Sequence, residues 1–293
     1  MRKMTQGGAM TFDLTHARHD KAHCLAPGLF RSLKRGDRKK FKLDVTYRHG
    51  DNTTLRFVGF EPLDAQDMRL LQGIVALSGP NGVILSEDPQ TDRGQQLRLL
   101  LDPRLDAARA DALVVKGTLG QLMREIGYAT DGAEARRDLK ASLLRMSNVT
   151  LHVKDGSREA SFHLLSYLFD EADGSLFVAL NPRVATAVMG SAHARIELSE
   201  VRALQSDPAR LLHQRLCGWI DAPPKGKSGR VGLDTLCSYI WPDSTENVNT
   251  MKTRRQTARK ALTELAGLGW SIEEYARGKF EISRPGSVKN LNS

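Results

Sequence analysis

The sequence predicts an α+β protein with two tandem winged-helix domains that follow a polar, basic N-terminal arm. Three observations support this prediction. Residues 249–267 have the spacing of an amphipathic helix with a basic outer face. The elements around that stretch follow the order helix, strand, helix, basic helix and hairpin, which is typical of a winged helix. A similar order occurs earlier in the chain, although no residue-level repeat is visible.

Length, charge and cysteine usage restrict the class of protein. The 293 residues are sufficient for two domains, and 43 basic residues against 34 acidic ones give a net charge of +9. This surplus favours nucleic acid or an anionic membrane surface as a partner, but a basic cytosolic enzyme would also fit. There is no apolar run of the ~20 residues that a membrane span needs, and no secretory segment. Because the three cysteines never have C-x-x-C spacing, we expect a reduced, soluble, cytoplasmic protein without structural zinc.

Residues 1–60 are expected to form the arm and a hairpin. Four residues in this segment lie at spacings that a metal could use: His16, His19, His23 and Cys24. Since no second ligand pair completes the set, no metal site is predicted. The basic run 31–42 is expected to be a solvated arm or a segment that follows DNA phosphates. Alternating polarity in residues 43–47 and 54–60, around a turn, predicts the hairpin.

The first winged-helix domain is predicted at residues 61–190. Apolar residues at helical spacing predict helices at 64–78, 118–126, 133–146 and 182–189, and the segment 79–82 should end the first of them. Strands are predicted at 96–101, 112–116, 149–153, 161–168 and 176–180. Five basic residues on the outer face of helix 133–146 and on the following turn are candidate DNA contacts. They are Arg136, Arg137, Lys140, Lys154 and Arg158.

The second winged-helix domain is predicted at residues 200–285, after a boundary within 181–205 and before a tail at 286–293. Residues 208–220 should form its first helix, and a short strand should follow from Arg230. Asp234 should cap the next helical turn, which forms a helix-turn-helix with the basic helix 249–267. Asn249 or Thr250 should cap that basic helix, and residues 270–284 should form the hairpin, or wing.

The basic helix is the predicted DNA-recognition helix and the main DNA-binding element. Its first half contains five basic residues and no acidic one between Met251 and Lys260. Because a helix dipole disfavours bases in the first turn, we expect an external anion to offset this charge. The candidate contacts are Lys252, Thr253, Arg254, Arg255, Gln256, Arg259 and Lys260 on the helix, with Arg277 and Lys279 on the wing. Arginine and glutamine suit base edges, and the lysines and Arg277 suit phosphates, although any single exposed arginine could equally be a solvated charge.

No catalytic motif is present, so we expect no enzymatic activity and no cofactor. Gly226-Lys227-Ser228 is similar to the end of a phosphate-binding loop, but Asp221 occupies the position where that loop needs glycine. The sequence also lacks the histidine pair that a nicking initiator would need beside a nucleophilic tyrosine. The tyrosines are therefore interpreted as packing residues.

Long segments of the chain resemble the RepC-type replication initiators of IncQ-group broad-host-range plasmids. The resemblance covers almost the whole length and is strongest in residues 19–47, 187–190, 199–221, 234–242 and 278–285. It implies a protein that binds iterons, the direct repeats of a plasmid origin, and helps to open adjacent A+T-rich DNA. The plasmid's own helicase and primase would then load there. The resemblance also implies two winged-helix domains, each recognising part of one repeat, and a dimeric form held by the first domain.

Two other functions remain compatible with the residues. A winged-helix transcription regulator would have a similar pattern, but it would recognise a palindrome as a dimer or carry an effector site. A protein–protein adaptor is the other alternative, because winged helices also bind protein partners. Footprinting on direct repeats and palindromes would separate the first alternative from an initiator, and a gel shift would test the second.

Overall fold

The computed structural model describes residues 12–34, 36–128, 132–223 and 226–286, which form a mixed α/β structure. The strands are β1 His16–His19, β2 Leu43–His49, β3 Thr53–Gly59, β4 Val83–Leu85, β5 Arg104–Leu105, β6 Ala112–Thr118, β7 Thr150–Asp155, β8 Arg158–His163, β9 Leu165–Phe169, β10 Ser175–Leu180, β11 Ala194–Glu197, β12 Gly229–Gly232, β13 Ser271–Ala276 and β14 Lys279–Ser283. The α-helices are α1 Lys21–Leu25, α2 Ala65–Asn81, α3 Asp92–Leu101, α4 Leu119–Glu125, α5 Ala133–Ser147, α6 Pro182–Met189, α7 Leu198–Ala203, α8 Asp207–Trp219, α9 Leu233–Ile240 and α10 Val248–Gly267.

These strands form four antiparallel sheets. The orders are β1-β11, β4-β6-β10-β9, β2-β3-β7-β8-β5 and β12-β14-β13. We call residues 65–163 the N-terminal lobe and residues 207–283 the C-terminal lobe. In the C-terminal lobe, β12 pairs with β14, so the strand before α9 joins the final hairpin in one sheet. The N-terminal lobe differs, because β6 pairs with β4 and β10 while the hairpin β7-β8 lies in another sheet.

The predicted arm is incorrect for most of its described part. Strand β1 pairs with β11, α1 packs against α8, and the hairpin β2-β3 extends the sheet that contains β7. Leu29 and Phe57 are fully buried. Within the basic run, Arg31 forms an ion pair with Asp243, and Arg38 forms one with Asp64. The partners of this segment lie far away in the chain, so its local composition did not reveal them. Residues 1–11 and Arg35 lie outside the described residues.

Most predicted helices are present, but two local predictions were wrong. Residues 96–101 are helical, not extended, because the Thr91 hydroxyl accepts from the Gly94 amide at 3.1 Å and starts α3. The segment 79–82 was expected to break its helix, yet α2 continues to Asn81. The predicted strand 161–168 is divided into β8 and β9. The sequence also predicts a turn at 130–132, of which only Gly132 is among the described residues.

The two lobes share one hydrophobic core. Buried side chains form a continuous cluster from Leu14 to Ile282. Helix α2 packs against α8, and the buried Gln72 amide donates to the Gln214 side chain at 2.6 Å. The predicted boundary at 181–205 contains α6, β11 and α7, and β11 is held by a strand from the N-terminal end of the chain. The boundary therefore does not coincide with a gap in the core.

Candidate nucleic-acid interface

Helix α10 lies on the C-terminal lobe with one apolar stripe turned inward. The stripe consists of Ala258, Ala261, Leu262 and Leu265, all buried. The helix starts before the predicted caps, because the Asn247 side chain accepts from the Thr250 amide at 3.0 Å. Neither Asn249 nor Thr250 is the cap, since both lie inside the first turn. The opposite face is left to solvent, as the sequence pattern predicts.

Several predicted contact residues are exposed on this face. Lys252, Gln256 and Lys260 are open to solvent. Thr253 is exposed too, but its hydroxyl donates to the Asn249 carbonyl oxygen at 3.0 Å. The guanidinium of Arg254 donates to the Asp243 carbonyl oxygen at 2.7 Å and lies 5.5 Å from the Trp241 ring centre.

The two arginines of the middle turns are bound by carboxylates of neighbouring elements. Arg255 donates to Asp234 of α9 at 2.6 and 2.8 Å. Arg259 donates to Glu274 of β13 at 2.7 and 2.8 Å. The hydrogen bonds from Arg255 lower the pKa of Asp234. Those from Arg259, with the Gly278 amide, lower the pKa of Glu274 to about 2.

These pairs correct two expectations. Asp234 does not cap α9, because the cap position is Gly232 and the Asp234 carboxylate points to Arg255 instead. The expectation that an external anion balances the basic helix is wrong for Arg255 and Arg259, whose charges are balanced within the protein. The helix itself has no acid in this stretch, so only the packing of α9 and β13 against it could reveal the acids.

The hairpin β13-β14 brings further basic side chains to the same lobe. Arg277 and Lys279 are exposed at its tip. Gly278 has φ of 69°, a conformation that glycine adopts without strain and that allows this tight turn. The Gly278 amide donates to Glu274 at 2.6 Å, which links the tip to the Arg259 pair.

The corresponding face of the N-terminal lobe is less positive. Arg137 pairs with Glu134 at 3.7 Å, and Lys154 pairs with Glu159 at 3.7 Å. Lys140 contacts Glu171 at 3.1 Å and lies 4.2 Å from the Phe169 ring centre. The two remaining candidates, Arg136 and Arg158, are exposed.

One basic residue of the supposed arm joins the candidate interface. Lys34 lines a cavity of about 350 Å³ at the start of α10, together with Trp241, Asn249, Thr250 and Arg254. No local sequence feature indicates this position, because Lys34 is more than 200 residues away from α10 in the chain. The ion pair of Arg31 with Asp243 holds the Lys34 segment there.

A separate buried cluster lies where α7 meets α8. The His213 ring nitrogen Nε2 is 2.5 Å from a Glu200 oxygen and 3.5 Å from the Cys217 sulfur. Burial alone lowers the pKa of His213, but Cys217 and Glu200 outweigh this effect and raise the pKa to about 10. Among the described residues this set, and not the His16–Cys24 segment, brings three potential metal ligands together. A short Nε2–O contact is what a charged ion pair requires, so we interpret the cluster as a structural ion pair.

Known proteins resemble the chain at the levels of family and fold. The family model for replication protein C (RepC) matches residues 11–286. A crystal structure of selenomethionine derivatives of domains 2 and 3 of RctB is similar in fold, with a TM-score of 0.53 and 9% identity. The similarity covers 90% of this chain and 98% of that one. No curated protein sequence matches the chain. None of the described helices is both long and apolar enough to cross a membrane.

Proposed function

The chain belongs to the replication protein C (RepC) family, and from this membership we propose that it is a plasmid replication initiator that binds directly repeated iterons at an origin. The observation that carries the proposal is the exposed, basic N-terminal half of α10 beside the basic hairpin tip. A helix with this charge, placed beside a hairpin with basic residues at its tip, suits a major groove flanked by two phosphate backbones.

We assign a winged helix to each lobe. In the C-terminal lobe, the order α8-β12-α9-α10-β13-β14 and the pairing of β12 with β14 support the assignment. In the N-terminal lobe, the order α2-β6-α4-α5-β7-β8 supports it, although β6 lies in a different sheet. The proposed domains keep the predicted limits, at residues 61–190 and 200–285.

On DNA, α10 would enter one major groove and α5 another, about one helical turn (~34 Å) away on the same repeat. The C-terminal lobe would make the main contacts, because the exposed surface of α10 is more basic than that of α5. Arginine and glutamine side chains of α10 would contact base edges, and the hairpin cations would contact phosphates. Lys34 adds a further cation at the start of α10.

After binding, the protein would promote opening of A+T-rich DNA and recruit the plasmid helicase and primase. It would act through binding alone, without a cofactor, a metal or a reaction of its own. A homodimer through the first domain would be a second assembly state. These steps rest on family membership.

The test is a footprint of the purified chain on the origin of the replicon that encodes it. We expect protection of each direct repeat, with one protected segment at each major groove that a helix enters. Protection of a palindrome in a promoter, with unprotected repeats, would favour a winged-helix transcription regulator instead. Absence of any retarded DNA in a gel shift would favour a protein–protein adaptor.

A further inference from the structure

Arg255 and Arg259 are one turn apart on α10, and each is held by a carboxylate from a different neighbour. Asp234 belongs to α9, the helix before α10, and Glu274 belongs to β13, the strand after it. Both pairs are bidentate, with donor–acceptor distances between 2.6 and 2.8 Å. They lie at the surface, since the side chains of Arg255 and Asp234 remain 49% and 62% exposed.

The two arginines are held by different edges of the guanidinium group. Arg255 uses Nε and Nη2, the side edge, so the end edge formed by Nη1 and Nη2 still has one outward N–H on each nitrogen. Arg259 uses Nη1 and Nη2, so its end edge is already occupied by Glu274. Bidentate recognition of guanine needs two parallel N–H donors on one edge. Arg255 can provide them without releasing Asp234, whereas Arg259 must change its partner or use its side edge.

A fixed guanidinium and a mobile one behave differently towards DNA. An arginine held by its side edge loses less side-chain freedom when it binds a base, because its position is already set. A nearby carboxylate also repels phosphates, so it opposes contacts that depend on charge alone. Removing the carboxylate while keeping the side-chain shape should weaken the orientation of the arginine and favour phosphate contacts.

We propose that Asp234 is a positioning residue for sequence recognition, which presents the end edge of Arg255 to a base, and that Glu274 restrains Arg259 from charge-driven binding. This inference rests on the proposed function, because it assumes that α10 enters the major groove. It adds that sequence discrimination depends on two acidic residues outside the recognition helix.

The test compares Asp234→Asn and Glu274→Gln with a matched control. Asp44→Asn is suitable, because Asp44 accepts from Nε and Nη2 of Arg56 at 2.9 and 2.8 Å in the same side-on manner. This pair lies on β2-β3, at the opposite end of the sheet from the β7-β8 turn. Each substitution removes one negative charge, so the control measures the effect of net charge alone.

Binding is measured by fluorescence anisotropy on a duplex of the footprinted repeat and on a duplex of the same composition in shuffled order, over a range of salt concentrations. For Asp234→Asn, we expect the Kd for the shuffled duplex divided by the Kd for the repeat to fall roughly five- to hundredfold. This is the discrimination that one bidentate base contact provides. The salt slope on the shuffled duplex should steepen by about one, since the freed arginine can meet a phosphate. Glu274→Gln should lower the Kd for both duplexes more than the control variant Asp44→Asn does.

An unchanged ratio for Asp234→Asn, equal to that of Asp44→Asn, would overturn the positioning role of Asp234. Equal affinities of Glu274→Gln and the control would overturn the restraint by Glu274. If the wild-type protein itself bound both duplexes equally, the proposed function would fail first. The wild-type ratio and the variant ratios therefore separate the two failures.

Discussion

Asp67 is the centre of a buried charge network, and its replacement by asparagine should destabilise the protein strongly. Its carboxylate is fully buried at the first turn of α2 and contacts two guanidinium groups, Arg145 at 2.7 Å and Arg38 at 3.3 Å. It also accepts a hydrogen bond from the Ser142 hydroxyl and one from the Asp64 amide, the latter at 3.0 Å. The network joins α2 to α5 and to the 31–42 segment.

Asparagine keeps the shape of this side chain but removes its charge. Arg145 then loses its buried partner, whereas Arg38 keeps its ion pair with Asp64. Breaking a buried ion pair costs about 3–5 kcal/mol. Arg38 and Arg145 keep 27% and 17% of their side-chain surface exposed, so water offsets part of the loss. We therefore expect a decrease of about 3 kcal/mol in the free energy of unfolding, at the lower end of that range.

Urea denaturation followed by circular dichroism measures this decrease. Asp44→Asn is again the matched control, because it also removes one carboxylate from an arginine pair but at an exposed position. Exposed pairs contribute little, so this variant should unfold close to the wild type. Equal unfolding midpoints for Asp67→Asn and Asp44→Asn would refute the inference that burial of the network determines its contribution.

Three further predictions follow from other parts of the structure. Arg255→Ala should weaken binding to the footprinted repeat about five- to hundredfold more than binding to shuffled DNA. Lys279→Ala should weaken binding to both duplexes equally and reduce the salt slope by about one. Equal losses of affinity on both duplexes for both variants would contradict a contact between Arg255 and a base. Burial lowers the pKa of His213, but Cys217 and the ion pair with Glu200 outweigh it and raise the pKa from 6.5 to about 10. The contribution of the charged His213 ring to stability should therefore be fully present below about pH 6.5 and be lost as pH rises towards 10. Urea midpoints measured against pH should show this fall in the wild type and not in His213→Gln, and parallel curves would contradict it. Gly73→Ala on α2 places a methyl group 2.3 Å from the side-chain Cγ2 of the buried Ile126, the residue that follows α4. It should therefore lower the free energy of unfolding by about 1–3 kcal/mol, and an unchanged denaturation midpoint would show that Ile126 can move away from α2 without cost.

The sequence predicted the elements that depend on local periodicity and capping. The apolar stripe of α10, the helix at 182–189 and the hairpin β13-β14 each have a repeat or turn within a few residues. The basic outer face of α10 was equally visible, because exposed charge follows from the same periodicity. Family membership was also readable from long matching segments. Errors occurred where a local signal was weak, as at α3, where the Thr91 cap was not recognised.

The tertiary structure decided which distant segments meet. Strand β1 pairs with β11 almost 180 residues later, and Lys34 comes to the start of α10. Arg255 pairs with Asp234, and Arg259 pairs with Glu274. These pairs changed the interpretation of the basic helix, because neighbouring elements balance two of its positive charges. Local pattern specifies which face of an element is apolar or charged. It does not specify the partner, because that choice depends on the packing free energy of the whole chain.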